Sequence, residues 1–545
     1  MSIDRRTFIR NSAVLGVAAG AASFPAGAAA STTGSPGADV PGPFELDELT
    51  LADLQKRMQS GQDTAKSLVQ KYLARIDQLD TRGPALHYMI EMNPEALAIA
   101  EALDEERRKT GPRGSLHGVP VLIKDNIGTA DRMTTTAGSL ALEGSIPAKD
   151  SFVAARLREA GAVILGKTNL SEWANFRSTR SSSGWSARGG QAKNPYALDR
   201  NPSGSSSGTG GAIAANYGPV GLGSETDGSI TSPSNNCCLV GIKPTVGLVS
   251  RSGVVPIAHS QDTVGPMTRT VTDAAVLLGA MAGPDANDPI TKNAHVHGHR
   301  DYTTFLDAAG LKGARIGIPR KGFFGYNPHS DKIAEEAITI MERLGAVIVD
   351  PVELPDDDEL GKAEFEVLLY EFKADLNAYL AGLGPSVRIK SLQEAIDFNE
   401  RNRDREMPYF GQEIFIRAQA KGPLTEQAYL DALATCERLS RTEGIDAAMD
   451  KHALDALVAP TSAPPSLTDL VNGDYGSGSA TTFPAVAGYP HITVPGGFVF
   501  GLPVGMSFFG RGWSEPVLLK LAFAFEQATK HRHPPAFLPT AELLP

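Results

Sequence analysis

The chain has 545 residues, 41% of them hydrophobic and 21% charged, with a formal net charge of −11. This composition is that of a globular protein rather than a disordered or low-complexity one, and the acidic balance lacks the basic footprint of a nucleic-acid binder. At about 150 residues per domain, length alone allows three or four domains.

Residues 1–30 read as a leader. Arg5 and Arg6 precede Phe8-Ile9, a weakly apolar run follows from Ala13 to Phe24, and Ala26-Gly-Ala-Ala-Ala-Ser31 offers small-residue cleavage sites. The pattern predicts a twin-arginine signal and export through that machinery, to the periplasm or outside the cell. The apolar run falls short of the roughly 20 residues that span a bilayer, so no stable membrane anchor is expected. Cys237, Cys238 and Cys436 cannot all pair within one chain, and they form no C-x-x-C motif. They read as reduced, which suits a route that exports folded proteins. Residues 31–44, rich in Ser, Gly, Pro and Ala, read as a flexible linker.

Leu51, Leu54 and Met58, then Leu68, Tyr72 and Ile76, keep helical spacing, which predicts two amphipathic helices between Leu49 and Leu79. Pro94 to Lys109 reads as a third. Gly118 to Ile123 is a short apolar strand of the kind buried in α/β sheets, and it ends at Lys124-Asp125-Asn126. Phe152 to Ala160 reads as helix and Ala162 to Gly166 as buried strand. Gly161-Ala-Val-Ile-Leu-Gly166-Lys167-Thr168 matches the P-loop letter for letter. A P-loop needs strand, glycine-rich loop, then helix; here the middle residues are themselves the strand and the helix comes first, so nucleotide binding is rejected.

Ser178 to Gly190 is polar and Ser-rich; it reads either as a plain loop or as a pocket floor around Ser181. The chemistry concentrates in Asn201 to Ala215 and Gly223 to Pro233. Ser203 to Thr209 holds four Ser, two Gly and one Thr. Small hydroxyl residues beside glycines let backbone N–H groups and a reactive oxygen approach a substrate carbonyl. A lone loop of this kind is usually a surface turn. Two of them flank a small-residue helix, Gly208 to Tyr217, with Lys124 upstream in an apolar strand, which makes a Ser/Ser/Lys constellation.

Downstream, Thr272 to Met281 reads as helix. His295, His297 and His299 could bind a metal, but no Cys or acidic residue joins them nearby, and a solvated loop is favoured. Ala314 to Pro319, Asp331 to Leu344 and Ala346 to Val349 read as strand, helix and strand. Asp356 to Tyr409 is acidic, helical and spotted with aromatics, and reads as helices over a pocket or as ordinary core helices. Leu424 to Met449 reads as helix, Ala456 to Pro460 as strand, Asn472 to Thr482 as a mobile rim, His491 to Phe509 as strands and turns, and Glu515 to Thr529 as the last helix.

The ordered motifs resemble the amidase signature family. Its strand ending in Lys-Asp-Asn appears as Lys124-Asp125-Asn126, its Gly-Ser-Ser-Gly-rich loop as Gly204-Ser205-Ser206-Ser207-Gly208, and its Gly-Ser-Ile turn as Asp227-Gly228-Ser229-Ile230. Val240 to Ser250, Asp262 to Pro266, Pro490 to Gly497 and Gly501 to Gly505 follow in family order. Gly223 to Thr231 is most similar to bacterial peptide amidases. The resemblance implies one domain over 45–540, an α/β/α sandwich with a large mixed sheet surrounded by helices. It implies Ser229 as nucleophile, Ser205 as bridging serine after a cis Gly204–Ser205 bond, and Lys124 as base. The family's two serines lie 24 residues apart, as Ser205 and Ser229 do. The N–H groups of Thr226, Asp227, Gly228 and Ser229 match its oxyanion hole, and Ser206, Ser181 and Thr231 are candidates for the pocket. Two positions depart from the common pattern: Asp227 replaces a glycine, and Thr231 replaces an arginine that could meet an acidic substrate.

The implied activity is hydrolysis of carboxamide C–N bonds through an acyl-enzyme, with a small-molecule or short-peptide amide as substrate and no metal or organic cofactor. Lys124 must be neutral to act as base, which takes a fall of about 3 units from about 10.4. Peptide C-terminal amides lead; aryl, aliphatic or cyclic amides remain open, as does the transamidating, A-like component of a glutamyl-tRNA amidotransferase. Gly204 to Gly208 also fits the G-x-S-x-G elbow around Ser206, but a polar, Pro-containing loop precedes it where a strand is needed. A periplasmic solute-binding protein would need neither glycine-framed serines nor a buried lysine.

Overall fold

The computed structural model describes residues 42–543 except 386 and 477. The expected export signal and all but the last residues of the linker lie outside the described residues. The apolar runs pair into one mixed sheet of eleven strands. In spatial order these are Met89–Met92, Val163–Thr168, Pro120–Lys124, Val220–Glu225, Thr263–Thr268, Val240–Lys243, His491–Val499, Leu502–Phe509, Ala456–Pro460, Arg315–Gly317 and Val347–Val349. Pairing is parallel where helices cross over, as between Pro120–Lys124 and both its neighbours. It is antiparallel through the middle, including the hairpin of the two longest strands.

Helices cover the sheet because each carries one apolar stripe. Leu51–Ser60 buries Leu51, Leu54 and Met58; Ala65–Leu79 buries Leu68, Tyr72 and Ile76. Each starts at a threonine whose hydroxyl accepts from the third backbone N–H, reciprocated by Asp53 or Ser67, a cap worth about 1 kcal/mol. Ser207–Ala214 is buried along its whole length. Its small residues are a packing requirement: a Cβ on Gly208 would lie 2.4 Å from the Asn169 carbonyl oxygen, and one on Gly211 would lie 2.2 Å from the Tyr88 ring.

A second apolar cluster sits off the main core. Leu369, Phe372, Leu376, Leu392 and Phe415 from the 357–419 helices pack there with Trp173, Phe176 and Ile257. The acidic, aromatic segment is thus both core and cavity wall. The Ser178–Gly190 segment is more ordered than a loop, since Trp185–Ser186 and Gly190–Gln191 form a small ribbon. Leu424 to Met449 is three pieces: Gln427–Glu437, a widened turn over Arg438–Ile445 where Gly444 leaves helical geometry, and Asp446–His452. The glycine-rich rim is tied down, because Asp474 accepts hydrogen bonds from the Ser183 N–H and hydroxyl and from Asn201 Nδ2. All three cysteines are free and buried. In the P-loop look-alike, Val163–Thr168 is buried strand and Lys167 Nζ donates to the Ile127 carbonyl and, at 2.8 Å, to Thr135 Oγ1.

Candidate active site

Lys124 ends the buried strand Pro120–Lys124 and is itself fully buried. Its Nζ lies 2.7 Å from Ser205 Oγ, 3.0 Å from Ser224 Oγ and 3.1 Å from the Ser224 carbonyl oxygen. A neutral amine has two N–H donors and one lone pair. The two Ser224 oxygens take the donors, and the Ser205 O–H can point at the lone pair. Burial brings this lysine down to about 7, against the pull of Asp262 and Glu225. Ser224 is the residue that sequence reasoning misses. It stands inside the Gly223 to Thr231 motif, but only the fold turns its hydroxyl to both Lys124 and Asn126, whose Nδ2 donates to it at 2.8 Å.

The peptide bond Gly204–Ser205 is cis. Ser205 sits just before the buried small-residue helix, and the Ser206 N–H donates to the Ser229 carbonyl at 3.1 Å. One backbone hydrogen bond thereby joins the two Ser/Gly loops. Ser229 retains 7% exposure, and among the described residues its hydroxyl makes no hydrogen bond. The turn before it bends at Gly228, φ +75°. A Cβ there would meet Ser232 Oγ at 2.9 Å, so glycine is required for both conformation and space.

Every residue of that turn is held from behind. Glu225 accepts from the Ile230 and Thr231 N–H groups at 2.6 and 2.8 Å. Thr226 Oγ1 donates to Asp262 at 2.6 Å. Asp227 accommodates its Cβ with its carboxyl turned to the helix Thr482–Val486, where Thr482 Oγ1 donates to it at 2.9 Å. Burial raises the Asp227 and Glu225 carboxyls, and lifts Asp262 to about 6.

A cavity of about 380 Å³ reaches this turn at Thr226, while Asp227, Gly228 and Ser229 stand behind its lining. Asn126, Ser205, Ser224 and Thr226 line its inner end, Val254 to Ile257 and Tyr379 its walls, and Arg251, His259, Asp288 and Asp375 its outer end. The three pocket candidates lie elsewhere. Thr231 is fully buried with its hydroxyl on Glu225. Ser206 is fully buried and its hydroxyl donates to the Ser224 carbonyl at 3.2 Å; no strand leads into it. The Ser181 carbonyl accepts from the Asp474 N–H, away from the cavity lining.

The histidine-rich segment points three ways: His297 stacks on Trp513, His299 packs on Tyr302 and Phe305, and His295 contacts the Lys292 carbonyl. Among the described residues, the set with metal-ligand spacing is His259, Glu371 and Asp375, with ligand atoms within 4.8 Å of one another. Both His259 ring nitrogens already face a carboxylate, Asp375 at 2.9 Å and Glu371 at 3.3 Å, an arrangement that satisfies all three groups.

A family model described as Amidase matches residues 67–519. A probable amidase of Arabidopsis thaliana is 44% identical over 504 residues, covering 91% of this chain and 93% of its own. A component of the glutamyl-tRNA(Gln) amidotransferase of Myxococcus xanthus is 36% identical over 494 residues, covering 89% and 98%. The native peptide amidase of Stenotrophomonas maltophilia superposes with a TM-score of 0.87 at 49% identity, covering 91% of this chain and all of that one (100%).

Proposed function

The chain belongs to the amidase family and is an amidase, a hydrolase of carbon–nitrogen bonds, and from that premise we propose that it releases ammonia from peptide C-terminal amides through a Ser229 acyl-enzyme. The observation that carries the mechanism is the 2.7 Å contact of the buried Lys124 Nζ with Ser205 Oγ, a residue that lines the cavity. A lysine brought to about 7 is largely neutral at mildly alkaline pH, so it can accept a proton there. Ser229 Oγ attacks the amide carbon while its proton passes through Ser205 to Lys124. The carbonyl oxygen becomes an oxyanion beside the N–H groups of Thr226, Asp227, Gly228 and Ser229. The proton returns by the same path to the leaving nitrogen as the C–N bond breaks. Water then repeats the sequence on the ester, freeing the acid and Ser229.

The substrate class is supported by the 49% identity with a peptide amidase over nearly the whole chain and by a cavity large enough for a short peptide end. The test measures ammonia from peptide amides and aliphatic amides, and amine from anilides, with wild type and Ser229→Ala in parallel. Peptide amides are expected to react, and Ser229→Ala to lose about 10⁴-fold or more. Turnover confined to anilides or aliphatic amides would remove peptide amides from the reading. A mutant as active as wild type would remove Ser229 as nucleophile.

A further inference from the structure

The proposed oxyanion turn is gripped by two residues from segments with no recognisable motif. Gln261, 1% exposed, directs its Nε2 at the Thr226 carbonyl (3.4 Å) and at Glu364 Oε1 (2.8 Å). Glu364 lies on the helix Asp357–Gly382, which also lends Asp375, Ala378 and Tyr379 to the cavity. On the other side Thr482 donates to Asp227 Oδ2, while Asp227 Oδ1 is buried and without a hydrogen bond among the described residues.

We infer that Glu364, acting through Gln261, and Thr482, acting through Asp227, are positioning residues that hold the Thr226–Ser229 N–H groups on the developing oxyanion. An N–H aimed at an oxyanion is useful only if its peptide plane cannot swing, and a plane is fixed by what its carbonyl and side chain hold. Thr226 is fixed through its carbonyl and its hydroxyl. Asp227 is fixed through its carboxyl, which gives this chain's departure from glycine a role: a glycine there would leave Thr482 nothing to hold. Burial raises both carboxyls, and Asp227 raises Glu364 further.

This inference rests on the reading of Thr226–Ser229 as an oxyanion hole, and its test separates the two. Glu364→Leu, Glu364→Gln, Thr482→Val and Thr482→Ser are assayed for kcat and KM on a peptide amide, with thermal melting as a folding control. Glu364→Leu and Thr482→Val are expected to lower kcat about tenfold or more with KM within about twofold, because the loss falls on the transition state. Glu364→Gln keeps an acceptor for Gln261 and Thr482→Ser keeps the donor, so each should recover most of that loss. Folded Glu364→Leu and Thr482→Val proteins with wild-type kcat, or a change confined to KM, would overturn the inference while Ser229→Ala stayed inactive. Failure of the rescuing variants would overturn it too. If Glu364→Leu does not fold, Thr482→Val decides, since that residue is only half-buried and the substitution leaves its volume nearly unchanged. A fully active Ser229→Ala would instead bring down the underlying reading.

Discussion

Two segments supply most of the cavity lining, and they hold their polar groups in different ways. The 118–268 segment places Lys124, Ser205, Ser206, Ser224 and Glu225 at under a tenth exposure, each hydrogen-bonded to another strand end or loop of the same segment. The 357–419 segment buries an apolar stripe and leaves Asp375 and Tyr379 partly open at the cavity. A charged group in water can wait anywhere; a lysine that must be neutral has to be enclosed. The first segment therefore gives up stability to enclosure, and the second shapes what enters.

Lys124→Met tests this division most severely. Activity on any amide should fall by about 10³-fold or more, because the proposed path delivers the Ser205 proton to Lys124, the base that contacts it. Stability should move the other way. In the unfolded chain this lysine binds a proton below about 10.4, whereas in the fold it does so only below about 7. The native state therefore loses stability as pH falls from about 10 to 7 and is level below that. The methionine variant should melt higher than wild type, by a margin that is larger at pH 7 than at pH 10. A variant that melts lower at both would mean that the hydrogen bonds to Ser205 and Ser224 outweigh the desolvation of the amine.

How much of this is legible in the sequence follows the same division. Lys124, Ser205 and Ser229 can be nominated because Ser/Gly loops and a lysine-terminated strand are local patterns that a family resemblance can match, and local patterns survive in one dimension. The apolar runs likewise mark the strands at Gly118–Ile123 and Ala162–Gly166. Ser224 lies inside a motif but nothing local sets it apart there, and nothing local marks Gln261; their contacts form only once segments far apart in sequence become neighbours. Thr231 is expected at the pocket because it stands where related chains carry an arginine, yet the helix starting there turns its hydroxyl into Glu225. Glu364 lies 103 residues from Gln261, and Thr482 lies 255 from Asp227, so only contact in the fold connects them to the turn they hold.

A milder test concerns the wall. Tyr379→Ala should raise KM on peptide amides about tenfold, the cost of losing one aromatic contact, with kcat within a few-fold. It should also change the ranking among peptide amides that differ in the side chain next to the amide. If kcat instead fell as far as in Lys124→Met, the helical segment would share in the chemistry and the division would fail.

The smallest expected effect lies where the two segments meet. His259 belongs to the first and faces Asp375 and Glu371 of the second, with Arg251 beside it. The hydrogen bond to Asp375 raises the imidazole, Glu371 adds to this, and burial and Arg251 oppose it. A histidine raised by folding contributes stability that is full below its unfolded value, near 6.5, and is lost as pH rises through the folded value. The ring is 44% exposed, so water screens the pair and the contribution should stay below about 1 kcal/mol. Asp375→Asn keeps an acceptor for the His259 backbone N–H, which donates to Asp375 at 2.8 Å, and removes only the charge. The melting temperatures of wild type and variant should differ by about one or two degrees at pH 6 and converge by pH 9. A gap of the same size at both pH values would mean that the segments are joined here by packing alone, and that the outer end of the cavity is as indifferent to protons as its wall.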